Sequence, residues 1–386
     1  MKKPNRVLIL SSSYGEGHTQ ASIAIQSAFQ TIAPDTQIRI DDFMEMTHPV
    51  LNSLTRYCYF QSIRYAPKLY GAFYKSTRSI KPDSLFQKQL NQLGSRTLKD
   101  FLQDYQPDIV IATFPTPAGV VSGLKERGVT NVPLVTVITD HAVHSQWLHS
   151  QTDLYLVGSD YVQKGMIQRG IAEDKIAVTG IPIRPNFNQT IETQEARKRL
   201  GLRQELPTLL IMGGAYGIMG DIGSLCEELF QFPKPLQIVV ICGKNEKLKQ
   251  QLESSLQTKQ PIGKNAIHIH GFVETIHDFM AAADLILTKP GGLTVTECLA
   301  MELPMLLYRP IPGQEQQNAD FLIQSNVAVL ANTKMEAIDS VNTLLFRKRI
   351  VLKKMGDHTK QLKHTHAAED IVEQIINRFE KTLKYV

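Results

Sequence analysis

The sequence predicts an α/β protein with two doubly wound domains that face each other across a cleft. With 386 residues, the chain exceeds the size at which a single hydrophobic core is usual, so two domains are expected. Short apolar segments alternate with amphipathic helical patterns, which is typical of parallel sheets covered by helices. The alternation pauses in a polar stretch at 184–207 and then restarts. We therefore predict a first domain at 1–185, a second at 186–366 and a C-terminal helix at 367–386.

Short apolar segments bounded by polar residues indicate the strands of both sheets. Strands of parallel sheets are covered on both faces, so they appear as continuous apolar runs. We predict strands at 6–11, 108–113, 133–138 and 153–158 in the first half, and at 208–212, 236–242, 266–270, 284–288 and 304–308 in the second. The segment 367–386 carries apolar residues at helical spacing, and the sequence does not reveal what this helix packs against.

The composition favours a packed globular protein. Apolar residues make up 42% of the chain, which is ample for two α/β cores and argues against disorder. No run approaches the ~20 apolar residues that cross a bilayer, and the N-terminal segment is too short for a signal peptide. Cysteine spacing supports neither a zinc site nor a disulfide framework, so we expect reduced thiols in a cytosolic protein. The four cysteines are Cys58, Cys226, Cys242 and Cys298.

A glycine-rich turn follows the first predicted strand. The letters SSSYGEGHTQAS, at 11–22, place Gly15, Gly17 and His18 between that strand and an amphipathic helix. Open α/β sheets bind ligands at this edge, beyond the carboxyl ends of their strands. The turn does not match the dinucleotide fingerprint, because Gln20 replaces the third glycine. A glycine turn without a further role is the alternative, and it leaves the histidine unexplained.

Two similar turns follow strands of the second half, in IMGGAYGIMG (211–220) and TKPGGLTVTECLA (288–300). Their glycines expose backbone amides which, together with the N-terminus of the following helix, suit a phosphate group. Glu297 lies three residues after Thr294 on the same helix face, close to that N-terminus. A carboxylate in this place suits two sugar hydroxyls, as in dinucleotide-binding folds, and helix capping is its alternative role.

A third polar turn, PIPGQEQQNADF at 310–321, precedes another predicted helix. It contains Gln314, Glu315 and Asn318, whose amide and carboxylate groups suit the hydroxyls of a hexose. An ordinary polar surface loop contains the same residue types. The turn therefore supports a sugar site only in combination with the two glycine turns.

Positive charge is concentrated in the first half of the chain. Residues 1–185 contain 19 Lys and Arg against 15 Asp and Glu, and no acidic residue occurs from 46 to 82. Basic and aromatic side chains interleaved at helical spacing suit anionic lipid headgroups, whereas a packed helical hairpin is the alternative. No nucleic-acid-binding motif accompanies the segment. Its basic residues are Arg56, Arg64, Lys68, Lys75, Arg78 and Lys81, and its aromatic residues are Tyr57, Tyr59, Phe60, Tyr65, Tyr70, Phe73 and Tyr74.

Seven motifs, in this order, resemble those of the diacylglycerol glycosyltransferases: GEGH, TDHAVHSQW, TGIPIRP, GGAYG, GFVE, KPGGLTVTE and PGQEQQNA. This family includes bacterial processive diacylglycerol β-glucosyltransferases and plant monogalactosyldiacylglycerol synthases. The sequence is more distantly similar to the N-acetylglucosaminyltransferase that completes the lipid-linked peptidoglycan precursor. The resemblance implies a GT-B fold of two Rossmann-like domains, with the acceptor in the first and a UDP-sugar in the second. It also implies inversion at the anomeric carbon. We expect no required metal or other cofactor, because the two glycine turns and the helix ends would stabilise the charge on the leaving UDP.

The resemblance also implies roles for matching residues of the second half. The backbone of Val273 in GFVE would face uracil, and Glu297 would hold the ribose. The diphosphate would be surrounded by Gly214, Gly291, Gly292 and Thr294. The hexose would be held by Gln314, Glu315 and Asn318.

His18 would then act on the acceptor. An alcohol is a poor nucleophile until a base takes its proton, and histidine suits this task near neutral pH. Asp140, after a predicted strand, is a rival base or a partner of a histidine. His18 as a helix cap or phosphate contact is the structural alternative. Gly17, His144 and Trp147 are expected to shape the acceptor pocket.

Two residues depart from the family pattern. Glu16 replaces a small or neutral residue beside the glycine, and His141 replaces the usual phenylalanine after the aspartate of the TD motif. The first departure bears on the mouth of the acceptor site.

The expected activity is transfer of a hexose, with glucose favoured, from a UDP-sugar to a diacylglycerol-type lipid. The expected partners are UDP-hexose, this lipid and an anionic membrane surface, with no nucleic acid. We expect a cytoplasmic enzyme that is peripherally attached to the inner face of the cell membrane. The alternatives are transfer to a polyprenyl-linked or soluble acceptor, and a sugar-nucleotide-binding regulator without turnover.

Overall fold

The computed structural model describes residues 3–77, 84, 92, 94–214, 222–257 and 265–380. The chain divides into two compact units, each built on a six-stranded parallel sheet. The first unit comprises Met1–Arg184, Pro312–Gln314 and His366–Val386, and the second comprises Pro185–Ile311 and Glu315–Thr365. The predicted α/β class with two doubly wound sheets is confirmed.

Strands and helices alternate along the first unit. Its strands are β1 (Arg6–Ser11), β2 (Gln37–Asp42), β3 (Ile109–Ala112), β4 (Leu134–Val137), β5 (Leu154–Val157) and β6 (Ile176–Val178). Its helices before the second unit are α1 (Glu16–Ile32), α2 (Phe43–Thr47), α3 (Pro49–Tyr65), α4 (Pro67–Thr77), α5 (Ser95–Tyr105), α6 (Pro115–Glu126) and α7 (Asp160–Ile167). Short 3₁₀ helices occupy Ser145–Trp147 and Glu173–Lys175.

The second unit repeats this alternation. Its strands are β7 (Thr208–Met212), β8 (Gln237–Ile241), β9 (Ala266–His270), β10 (Leu285–Thr288), β11 (Met305–Tyr308) and β12 (Ala328–Ala331). Its helices are α8 (Thr193–Arg199), α9 (Ile222–Phe230), α10 (Glu246–Gln257), α11 (Ile276–Ala282), α12 (Gly292–Ala300), α13 (Gln314–Gln324), α14 (Lys334–Asn342) and α15 (Arg349–Leu362), α13 beginning with a residue of the first unit. A 3₁₀ helix occupies Pro185–Asn188 and a π-helical turn Thr343–Arg347, and α16 (Ala367–Phe379) follows in the first unit.

The first sheet has the strand order β2-β1-β3-β4-β5-β6, with every pair parallel. β2, the next strand along the chain, pairs with one side of β1, and β3 pairs with the other side. The order therefore reverses between β1 and β3, and a doubly wound sheet opens a crevice for ligands at such a point. Residues that follow β1 and β3 are the first to consider for a site.

The second sheet has the order β12-β11-β10-β7-β8-β9, also with all pairs parallel. Its reversal point lies between β7 and β10, which pair in register from Leu209 opposite Leu285 to Met212 opposite Thr288. The glycine turns at 211–220 and 288–300 both begin at the ends of these two strands. The starts of two turns that are far apart in sequence are thereby brought side by side, and residues 215–220 of the first turn lie outside the described residues.

The C-terminal helix completes the core of the first unit. Ile371, Val372 and Ile375 of α16 are fully buried in a cluster with residues of β1 and α1. Part of one face of α1, including Ile25 and Phe29, lies in the same cluster. The apolar stripe that the sequence left without a docking partner therefore packs against the helix that begins in the GEGH turn.

Three strands were not predicted. β2 has the sequence QIRIDD and lies at the edge of its sheet, so only part of it is covered and it lacks a continuous apolar run. β6 has three residues and β12 four, and each also lies at a sheet edge. Edge strands that are short or partly polar give weak sequence signals, because pairing rather than burial defines them.

Candidate active site

His18 lies at the reversal point of the first sheet. The chain leaves β1 at Ser11 and enters α1 at Glu16, so Gly17 and His18 occupy the first turn of that helix. Gly15 precedes the helix without a side-chain cap. The glycine-rich turn at 11–22 therefore lies at the carboxyl ends of the strands, as expected for a ligand site.

Hydrogen bonds fix the orientation of the His18 ring. Its Nδ1 lies 2.8 Å from the carbonyl oxygen of Thr113, which follows β3, and 3.0 Å from Oγ1 of Thr139, which follows β4. A carbonyl oxygen only accepts, so this contact assigns the hydrogen to Nδ1 and leaves the lone pair on Nε2. Within the described ranges no group forms a hydrogen bond with Nε2. The ring is thus held in the tautomer that a proton acceptor needs.

A second layer of hydroxyl groups supports this arrangement. Oγ of Ser22 donates to the carbonyl oxygen of His18 at 2.9 Å and also lies 2.9 Å from Oγ1 of Thr113. Thr113, Thr139 and Ser22 were not identified from the sequence. They lie close to His18 only because parallel strands end at one edge of the sheet.

The surroundings of His18 are largely apolar. The ring of Phe114 meets His18 edge to face at 5.0 Å between centroids, and the ring of Trp147 lies 6.4 Å away. Burial lowers the pKa of His18 to about 4, against the opposing effect of the hydrogen bond to Thr113. The imidazole is therefore neutral at physiological pH, and part of the side chain retains exposure to solvent.

The other predicted acceptor residues lie in the segment that follows β4. Asp140 is buried at the same sheet edge. His144 caps the 3₁₀ helix at Ser145–Trp147, because its Nδ1 accepts a hydrogen bond from the backbone amide of Gln146 at 3.2 Å. This bond occupies the lone pair of Nδ1, and the contribution of His144 to the acceptor pocket stays a prediction. Trp147 is buried in an apolar cluster, and its ring lies beside that of His18.

Between residues 49 and 77, the acid-free segment forms two consecutive helices, α3 and α4. Arg56 donates to Oγ of Ser13 in the first turn at 3.3 Å, and the ring of Tyr74 lies 4.4 Å from that of His144. These two side chains therefore face the protein rather than a headgroup layer. Lys75 is exposed. The helical backbone includes Arg64, Lys68 and Tyr70, whose side chains lie outside the described part of the chain, as do Arg78 and Lys81 entirely.

Gly214 and Gly291, one in each glycine turn of the second unit, leave the backbone accessible. Gly214 has a φ of +73°, in the left-handed region that favours glycine, and a Cβ there would lie 3.5 Å from Cε of Lys289. A Cβ at Gly291 would meet no protein atom within 4 Å. Oγ1 of Thr288 donates to the carbonyl oxygen of Met212 at 2.8 Å and links the two strand ends. This arrangement provides bare amides, open space and a nearby cation, which together suit a diphosphate.

Glu297 lies in the middle of α12, the helix that begins at Gly292. Its side chain is buried, and Gly291 rather than an acidic residue occupies the N-cap position. Glu297 therefore does not cap this helix, which was its alternative role. Thr294 is in the first turn of α12, one helical turn before Glu297 and on the same face.

Residues of the PGQE motif stabilise the neighbouring turn. Nδ2 of Asn318 donates to the carbonyl oxygen of Pro290 at 3.0 Å, so it holds the PGG turn in place. Glu315 pairs through Oε1 with Nζ of Lys289 at 3.1 Å and accepts at Oε2 from the amide of Ile311 at 3.0 Å. Lys289 was not singled out from the sequence, although a cation directly before a glycine turn is a recognisable signal.

The remaining donor residues lie at the same sheet edge. Val273 follows β9, and Gln314 is the first residue of α13, after β11. The predicted donor residues therefore follow strands of the second sheet along the chain, although Gln314 itself belongs to the first unit. Their individual roles stay predictions.

A separate cavity of about 660 Å³ lies at the amino ends of strands of the second sheet, opposite the ends that carry the glycine turns. Its lining includes Asp284 and Pro304, which directly precede β10 and β11, and none of the predicted donor residues. In the described residues, no group of three or more His, Cys, Asp or Glu side chains is arranged to hold a metal ion. Independence from metal stays a prediction.

Comparison with known proteins covers both units. Residues 18–183 match the family model described as monogalactosyldiacylglycerol (MGDG) synthase, and residues 208–375 match the glycosyltransferase family 28 C-terminal domain. The chain is 36% identical over 376 residues to a protein of Bacillus cereus named processive diacylglycerol beta-glucosyltransferase, covering 97% of this chain and 94% of the relative. The chain belongs to the diacylglycerol glycosyltransferase family. A relative of the same name from Bacillus cytotoxicus is 35% identical over 377 residues, covering 97% of this chain and 95% of that one.

Membership of the diacylglycerol glycosyltransferases confirms the resemblance that the seven motifs indicated, and with it the class of enzyme. The crystal structure of MurG from Acinetobacter baumannii aligns with a TM-score of 0.64 at 16% identity, covering 97% of this chain and 100% of that chain. At this identity the likeness concerns the fold alone, and it confirms the GT-B class. Among the described residues, no helix of this family member has the length and apolarity needed to cross a bilayer.

Proposed function

We propose that this protein transfers a hexose, with glucose favoured over galactose, from a UDP-sugar to diacylglycerol with inversion at the anomeric carbon. The observation that carries the proposal is the 36% identity over 97% of the chain to a processive diacylglycerol beta-glucosyltransferase. The sites fit the two substrates. The second unit offers turns suited to a diphosphate, and the first offers a neutral histidine in a fixed tautomer.

In the proposed step, Nε2 of His18 takes the proton of the acceptor hydroxyl. The hydroxyl oxygen bonds to the anomeric carbon while the bond from that carbon to the diphosphate breaks, and its electron pair leaves with UDP. Backbone amides at Gly214 and Gly292, the N-terminus of α12 and the Lys289 ammonium group stabilise the charge that develops on UDP. With these groups at the diphosphate, the proposed reaction requires no metal.

The proposal is tested by incubating the full chain with labelled UDP-glucose or UDP-galactose and diacylglycerol in detergent micelles. Parallel reactions contain a polyprenyl-phosphate-linked acceptor or a soluble alcohol in place of diacylglycerol. We expect glycosylated diacylglycerol, formed faster from UDP-glucose. Transfer only to one of the other acceptors, or binding of UDP-sugar without any product, contradicts the proposal.

A lipid acceptor requires contact with a membrane, and we propose peripheral attachment through residues 46–82 of the first unit. Val50, Leu54 and Tyr57 recur on one face of α3 at the spacing i, i+4, i+7, and they are 85%, 59% and 63% exposed. Exposed apolar side chains within an acid-free, basic segment suit the boundary between headgroups and acyl chains. The attachment would lie on the inner face of the cell membrane.

Removal of this apolar face tests the attachment. The double variant Val50→Ser, Leu54→Ser is expected to lower the partition coefficient onto phosphatidylglycerol-containing vesicles by at least about ten-fold, because burial of each side chain contributes about 1.5–3 kcal/mol when complete. Cosedimentation measures the effect. The matched control is Val129→Ser, Met335→Ser, which also removes two exposed apolar side chains. Equal losses in both variants would argue against a specific role for α3.

A further inference from the structure

The second unit has its own acid-free basic segment. Residues 340–356 contain no aspartate or glutamate, and the run FRKRIVLKK at 346–354 carries five cations within eight positions. The cations are Arg347, Lys348, Arg349, Lys353 and Lys354. This run joins the π-helical turn at Thr343–Arg347 to the first two turns of α15. The segment is distinct from the donor residues, which follow the strands of the sheet.

These charges have no partner within the part of the chain that the structure describes. None of the five forms an ion pair or a side-chain hydrogen bond there. By contrast, Lys360 and Lys363, further along or just after α15, both pair with Glu302 at 3.6 and 3.3 Å. Like charges at i and i+4, such as Arg349 and Lys353, repel each other at a small cost in helix stability. Arg349 and Lys353 border the cavity that Asp284 also lines, whereas Arg347, Lys348 and Lys354 lie outside that lining and are exposed, so these three are available to an external anion.

Apolar side chains are exposed among the cations. Ile350 is 65% exposed and Val351 is 38% exposed, whereas Leu352 and Met355 on the other face of α15 pack into the core of the second unit. The helix is thus anchored by one face and presents a mixed basic and apolar face outward. An isoleucine exposed among cations favours a lipid surface over nucleic acid, because a bilayer offers an apolar layer beneath its charged headgroups.

We propose that residues 347–354 of the second unit bind the anionic headgroups of a bilayer, with Ile350 reaching the acyl boundary. This inference rests on the proposed function, because a lipid acceptor brings the enzyme to a membrane. It adds a second contact in the donor-binding unit to that of α3. Both units are then held at the surface independently.

The test uses the full chain with the triple variant Arg347→Gln, Lys348→Gln, Lys354→Gln. Each removed charge is expected to weaken binding to vesicles of phosphatidylcholine and phosphatidylglycerol about five-fold, and three together about a hundred-fold, at low salt. The matched control is Lys164→Gln, Lys198→Gln, Lys247→Gln, three exposed cations elsewhere that also lack ion pairs in the described chain. We expect the control to bind like the original protein.

A second readout locates the apolar side chain. A second variant carries Ile350→Cys in a Cys58→Ser background and is labelled at residue 350 with an environment-sensitive fluorophore. Its emission maximum is expected to shift to the blue on anionic vesicles. Cys58 is the exposed cysteine of the described chain, whereas Cys226, Cys242 and Cys298 are buried. The shift is expected to be absent with phosphatidylcholine alone.

Three outcomes overturn the inference. They are vesicle binding by the triple variant at the original strength, an equal loss in the control, and a loss of oligonucleotide binding with vesicle binding intact. Transfer to short-chain diacylglycerol in uncharged micelles is measured alongside and is expected to be unchanged by the triple variant. Absence of that transfer in the original protein refutes the proposed function instead, so the two failures are distinguishable.

Discussion

Replacement of His18 by alanine is expected to lower kcat for lipid glycosylation by about 100-fold or more, the usual contribution of a general base. UDP affinity is expected to change little, because the residues predicted to hold uracil, ribose and diphosphate belong to the other unit. Single-turnover kinetics and calorimetry with UDP measure the two quantities. A phosphate-contacting histidine would instead lower UDP affinity and kcat together.

A second substitution separates catalysis from structure. In His18→Asn, the side-chain amide retains a donor for the Thr113 carbonyl but offers no proton acceptor of comparable strength. We expect this variant to keep the original Tm and to lose kcat as the alanine variant does. Normal turnover with a lowered Tm would make His18 structural. Asp140→Asn is measured in parallel, and a dead Asp140 variant beside an active His18 variant would assign the base to Asp140.

The pH profile provides a further check on the same residue. Burial lowers the pKa of His18 to about 4, so the neutral, proton-accepting form persists as the pH falls through the ordinary histidine range. If His18 is the base, the acidic limb of kcat/KM due to this group lies near pH 4 rather than near pH 6.5. The limb should disappear in His18→Asn, which has no group titrating there.

Replacement of Glu297 by alanine is expected to raise the Kd for UDP. A hydrogen bond to a charged group is worth about 1.5–3 kcal/mol, which corresponds to a loss of roughly 10- to 150-fold. The KM for the UDP-sugar should rise in parallel, since uracil, ribose and diphosphate are common to both ligands. Calorimetry with UDP provides the direct measurement.

A control variant tests whether the effect of Glu297 is local. Glu302 lies just beyond the other end of α12, where it pairs with Lys360 and Lys363. Glu302→Gln should therefore leave UDP affinity unchanged. Glu297→Gln retains the volume of the buried side chain and should still bind UDP weakly. UDP affinity at the original level in a folded Glu297→Ala protein would remove this residue from the donor site.

The sequence predicted those features that depend on local patterns. Buried strands such as β7 and β10 appear as short apolar runs, and glycines directly after them mark the sheet edge where ligands bind. The i, i+3 relation of Thr294 and Glu297 is equally local. The likeness of the motifs to a known family then supplied a role for each glycine turn.

Long-range contacts could not be predicted from the sequence. Thr113 and Thr139 lie 95 and 121 residues from His18, and only the strand order brings them to its ring. The structural roles of Asn318 and Glu315 at the PGG turn depend in the same way on the neighbouring positions of β10 and β11. The exposed face of α3 differs, because the spacing of Val50, Leu54 and Tyr57 is visible in the sequence and only their exposure was unknown.

The docking of α16 on α1 has a consequence for synthesis of the chain. Ribosomes produce the first 184 residues early, yet the face of α1 that α16 covers stays open until the entire second unit has been made. Ile371, Val372 and Ile375 then close this face, and α1 carries His18 in its first turn. The part of the first unit that bears the candidate base is therefore completed last, after the donor-binding unit has had time to fold.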